Sequence, residues 1–275
     1  LSGALATAAA YVALLGWPPF PAVSAIEWLP WLALLAGGVA GATGMTTRRS
    51  VHHGAAWLTG LVAAWLLSSG LSAQAPSATT MALWITGLTF MFWAVFAALT
   101  AIAQRVSAPA WALLVVIWAA GAAAVMAQAH SASMGQLTGT VAAAAGGVMV
   151  ATFLTRKRNP DARPLALPVA IMVVGAATAT RLYADMSTPA LSLIALAPVL
   201  VAAIVAVGTL GPGLRAGLSA AAVIGALGAA FAVAAVDPPP DTDSDYGYGY
   251  ETEDADADEG TPEPDYDALK GWTPP

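Results

Sequence analysis

Long apolar runs, most of them near twenty residues, alternate with short breaks, and positive charge collects in every second break. Eight of the ten basic residues, Arg48, Arg49, Arg105, Arg156, Lys157, Arg158, Arg163 and Arg215, fall within 46–53, 104–109, 156–164 and 210–215. The intervening breaks at 17–25, 73–80, 129–136 and 185–189 hold no Lys or Arg. An apolar run of about 20 residues crosses the roughly 30 Å bilayer core as a helix. Lys and Arg accumulate in the loops on the cytoplasmic side. The expectation is an all-α integral membrane bundle with the four basic breaks inside.

Expected spans are 1–16, 26–45, 54–72, 81–103, 110–128, 137–155, 165–184, 190–209 and 216–236. The first is short and reads as a span or a half-inserted helix, so the count is eight or nine. Composition agrees: of 275 residues, 58% are hydrophobic and 9% charged, against about a quarter charged in soluble domains. The chain has no cysteine, which excludes disulfides and thiolate chemistry.

The net charge of −6 conceals two opposed segments. Residues 1–236 hold nine basic and three acidic side chains, a balance of +6. Residues 237–275 hold one lysine and thirteen acidic side chains, a balance of −12. The first segment is the expected bundle. The second is an acidic, Pro- and Tyr-rich tail, which the span count places outside the cytoplasm.

The bundle carries an internal resemblance. AGGVAGATGMTTRRS from Ala36 aligns without gaps to AGGVMVATFLTRKRN from Ala145, and both end in a basic turn. Arg105 corresponds to Arg215, and VIWAAGAA from Val116 to VIGALGAA from Val223. These offsets imply a parallel duplication of a four-helix unit, 26–128 and 137–236, after one extra N-terminal helix. Such repeats are related by an axis along the membrane normal in some transporters. The halves differ in composition: residues 137–236 contain no Trp. GxxxG spacings at Gly37/Gly41 and Gly213/Gly217 favour close helix contacts, and the Ala/Gly-rich second half is expected to pack more tightly.

Chemistry is sparse. No Asp, Glu, Lys or His falls at mid-span, and Walker, GxSxG, HExxH and dinucleotide motifs are absent. No enzyme, metal site or cofactor is expected. His52 and His53 follow Arg48 and Arg49 and read as a basic surface facing anionic lipid. Trp65, Trp93 and Trp118 near mid-membrane are candidates for an apolar pocket. Arg181 stands against the positive-inside bias, with Asp185 one turn away and Glu27 at the same face. This group reads as an ion pair, or with Thr178 and Thr180 as an anion site. Pro198, in the eighth span, is expected to kink its helix or free a carbonyl.

In the tail, Tyr246, Tyr248, Tyr250, Tyr266 and Trp272 sit among carboxylates, a composition suited to docking a basic partner protein. The expected function is therefore a non-catalytic subunit or scaffold of a larger assembly in a plasma membrane, of the bacterial inner-membrane kind. The alternative is a permease for a small neutral or apolar solute. The expected partners are the lipid bilayer and other membrane or extracytoplasmic subunits, with no nucleic acid.

Overall fold

The computed structural model describes residues 2–22, 24–44, 48–69, 77–155, 162–209 and 211–236. These residues form helices and their connections, with no strand among them. In chain order they are α1 (Ser2–Leu15), α2 (Ala25–Gly44), α3 (Arg49–Ser68), α4 (Ala78–Ala103), α5 (Ala108–Gln128), α6 (Ala132–Thr155), α7 (Arg163–Tyr183), α8 (Thr188–Ala206) and α9 (Pro212–Val236). Residues 237–275 lie outside the described residues.

Seven helices, α2 and α4 to α9, have the length and apolar composition of a membrane span. Among the described residues α1 and α3 do not reach that measure, and the expected span 54–72 continues into residues outside them. α1 has 14 residues, about 21 Å at 1.5 Å per residue, below the roughly 30 Å hydrocarbon thickness. α3 has 20 residues but opens on Arg49, Ser50, His52 and His53, which dilute its apolar character.

Local chemistry explains several helix ends. Ser24 and Glu27 form a reciprocal capping box at the start of α2: Ser24 N donates to Glu27 Oε2 at 3.0 Å, and Glu27 N to Ser24 Oγ at 3.4 Å. The Ser77 hydroxyl accepts from Thr80 N at the start of α4. Proline occupies the first turn of α5, α7 and α8, where its missing N–H costs no helical bond. α5 ends in a left-handed His130 (φ 59°), and Ser131 N closes back on the Met126 carbonyl at 3.0 Å.

α7 occupies the centre, packed against α1 to α6 and α8. Between residues 166 and 180 every side chain except Val169 is buried, and the polar ones in that stretch are Thr178 and Thr180. Lipid tails are as apolar as leucine, so exclusion of water does not drive this arrangement. Close packing does, and small side chains permit it. Ala166, Ala170, Gly175, Ala176, Ala177 and Ala179 supply them. A Cβ built at Gly175 lies 3.0 Å from Leu29 Cδ2, showing how closely α2 approaches.

The expected tight packing of the second half is realised in α7 and not in α9. Gly213 and Gly217 are exposed, with open space where a Cβ would stand. A closer approach is at Gly135, where a Cβ would lie 2.9 Å from the Ala123 carbonyl of α5. A two-fold axis along the membrane normal would also give α3 and α7 equivalent surroundings. Theirs differ: α3 exposes Trp57, Leu58, Leu61, Val62 and Trp65.

Candidate functional site

The ends of α2 and α4 and the beginnings of α3 and α7 enclose a cavity of about 430 Å³. That volume falls within the roughly 300–1,000 Å³ typical of small-molecule sites. Arg49, His52 and His53 come from the first turns of α3, Arg163 and Pro164 from the start of α7, and Thr43 from the last turn of α2. Thr100 and the adjoining Gln104 come from the end of α4. Residues from three basic or break-flanking segments of the sequence thus meet at one end of the bundle. The deeper wall is apolar, with Ala40, Phe96, Ala97 and Leu167.

His53 is held by aromatic edges. Its ring stands 5.7 Å from Phe96 at 75° and 6.1 Å from Trp93 at 60°. Trp93 also meets Trp57 at 6.2 Å and Phe90 at 5.7 Å. Such edge-to-face pairs add about 0.5–1.5 kcal/mol beyond burial, so the imidazole is fixed against the cavity wall. Its Nδ1 is buried and makes no hydrogen bond.

The three mid-membrane tryptophans occupy three different environments. Trp93 is the centre of the aromatic cluster behind His53. Trp65 is 59% exposed on the outer surface of α3, while Trp118 is 2% exposed between α5 and α8. Trp118 has a specific task. Pro198 has no N–H, so the Ile194 carbonyl, four residues earlier in α8, loses its helical donor. The Trp118 indole Nε1 donates to that carbonyl at 2.8 Å. The freed carbonyl expected at Pro198 is present, and a neighbouring helix satisfies it.

Arg181 closes the opposite end of α7. Its Nε donates to the Thr188 hydroxyl at 3.1 Å, joining α7 to the first turn of α8. Asp185 adopts φ 52° in the turn after α7, where Met186 N reaches the Thr180 carbonyl at 3.5 Å. Short polar residues tolerate that left-handed position better than most. Glu27 serves in the α2 capping box. Thr180 donates to the Ala176 carbonyl at 2.9 Å, and the Thr178 hydroxyl is buried without a hydrogen bond. Tyr246, Tyr248, Tyr250, Tyr266 and Trp272 lie outside the described residues.

These features define a multi-pass α-helical membrane protein with a basic cavity at one end of its bundle. Compared with protein-family models, with curated proteins and with solved structures, the chain finds no match.

Proposed function

We propose that the protein is a non-catalytic subunit or scaffold of a larger membrane assembly. The observation that supports this most is the enclosed α7, a centre built from tightly packed alanine, glycine and valine rather than from ionisable groups. Such a centre suits a rigid structural body. In this reading the acidic tail is extracytoplasmic and docks a partner through Tyr246, Tyr248, Tyr250, Tyr266 and Trp272. Thirteen carboxylates against one lysine attract a basic partner over a range that salt shortens to about 8 Å. The aromatic rings add apolar contact that salt does not remove.

Purification from native membranes tests this directly. The expected result is a stoichiometric partner that is lost when residues 237–275 are deleted. A lone protein that moves a solute in liposomes overturns it. The second reading, a permease for a neutral or apolar solute, draws on Pro198 within α8 and on the duplication of 26–128 and 137–236. The unlike surroundings of α3 and α7 then mean that the halves have diverged in packing as well as in composition.

Sidedness follows the charge pattern: the basic breaks are cytoplasmic, α3 crosses despite its polar start, and the tail faces outward. Single cysteines at Ser50 and Ser244, probed with an impermeant thiol reagent in intact cells, check it. Labelling is expected at Ser244 and not at Ser50, and the reverse pattern overturns the assignment.

A further inference from the structure

Neither the subunit reading nor the permease reading uses the connection between α1 and α2, whose surface is unlike that of the other connections expected at its face. α2 has 20 residues, about 30 Å of helix, which matches the hydrocarbon thickness. Thr43 and Gly44, at its end, line the basic cavity, so its start at Ala25 lies at the opposite membrane surface. Residues 16–22 come just before that start. Their sequence, GWPPFPA, has a single polar side-chain atom, the Trp17 indole nitrogen. No charged side chain falls between residues 1 and 26. The other breaks expected at this face, 73–80, 129–136 and 185–189, carry Gln, Ser, Thr, His or Asp.

The connection holds its rings outward. Trp17 is 78% exposed and Phe20 76%, and Leu14 and Leu15 in the last turn of α1 are exposed as well. α1 closes at Gly16, whose φ of 82° suits glycine, with Gly16 N donating to the Val12 carbonyl at 3.0 Å. Pro18, Pro19 and Pro21 fix three of the next five φ angles, and Pro18 is buried. The Phe20 ring meets Trp31 of α2 edge-on at 5.5 Å and 69°, which ties the connection to the bundle. Two large rings on a stiff loop gain nothing from water. At the headgroup layer an indole places its ring against acyl chains and its N–H toward water. A loop already rigid in that arrangement gives up little freedom on entering.

We propose that residues 14–21 are a membrane anchor, in which Trp17 and Phe20 enter the headgroup–acyl boundary of the leaflet at the start of α2 and set the depth of α1. Lipid is the occupant because the segment sits where α2 leaves the hydrocarbon. It also offers a protein partner no charge and only one side-chain hydrogen-bond donor to recognise. α1, with 14 residues, does not match the bilayer thickness, so length alone does not fix its depth. The anchor supplies that constraint. It engages the layer and no particular headgroup, so a zwitterionic bilayer suffices.

The test uses the purified full chain in phosphatidylcholine vesicles. The chain has no cysteine, so a single introduced one carries a nitroxide without competition. P19C places the label between the two rings, and A132C places it in a polar connection at the same face. Power saturation compares collisions with oxygen, which enters lipid, and with a nickel chelate, which stays in water. The P19C label is expected to favour oxygen and the A132C label nickel. W17S/F20S moves the P19C label to the ratio seen at A132C, and the milder W17S moves it part of the way. W17F/F20W, which keeps two aromatic rings, leaves it in lipid. The proposal is overturned if the P19C label is as open to nickel as the A132C label, or if W17S/F20S leaves its depth unchanged. It is equally overturned if W17F/F20W expels the label as fully as W17S/F20S. Protection from nickel in native membranes but not in these vesicles assigns the segment to a protein partner and overturns it too.

Discussion

Trp118→Phe is expected to cost about 1–3 kcal/mol, and Pro198→Ala to remove most of that penalty. The wild-type indole serves the one carbonyl in α8 that Pro198 deprives of its helical donor, at 2.8 Å. Phenylalanine fills much of the space and donates nothing, leaving Ile194 with a buried acceptor and no partner, whose desolvation accounts for the magnitude. Alanine at 198 returns an N–H to the helix, so the carbonyl no longer needs the indole. The two substitutions should therefore couple by about 1 kcal/mol in a double-mutant cycle read from detergent unfolding. Trp111→Phe is the control. Its Nε1 also donates to a carbonyl, that of Leu99 at 3.0 Å, but no proline lies four residues after Leu99. It should show no coupling to Pro198→Ala. Strict additivity at Trp118 and Pro198 would refute the account.

Gly135→Ala is the second large effect, expected to destabilise by about 1–3 kcal/mol, the usual cost of overpacking a filled interface. The added methyl lies 2.9 Å from the Ala123 carbonyl and 3.3 Å from Ala127 Cβ, both in the facing helix α5. A backbone oxygen cannot rotate aside, so α5 and α6 must separate along their contact. Gly121 offers the contrast, because its nearest neighbour is the flexible end of the Leu227 side chain. Gly121→Ala should cost less. Comparing unfolding midpoints of the two variants decides the matter, and equal losses would show that the α5–α6 approach is not what limits this position.

The sequence resolves the helices and their breaks well, because charge and apolar length report directly on where a chain can enter lipid. It does not reveal which helix is central. α8 has a mean hydropathy of 2.4 over its span and α7 only 1.8, yet α7 is the more enclosed. Lipid and protein interior are equally apolar, so hydropathy cannot separate a lipid-facing side chain from a packed one. The small residues of α7 carry that signal, and similar ones in α9 face outward. The basic cavity is hidden for another reason: its walls come from residues 40 to 167 on four helices. Its arginines and histidines read as a basic surface, and only the fold gathers them at one end of the bundle. At Glu27 a local signal is legible in the sequence, since Ser24-x-x-Glu27 is the spacing of a capping box.

The central position of α7 has a consequence for biogenesis. A ribosome delivers this helix after α1 to α6, so the core of the finished bundle reaches the membrane late. Until then α2, α3 and α4 have no partner for the faces that will meet α7, and lipid must occupy its place. The contact between α2 and α7 joins distant parts of the chain, and closing such long loops slows folding. A chain stopped before residue 163 is thus an incomplete ring around a missing axle, open to insertion chaperones and to membrane proteases alike.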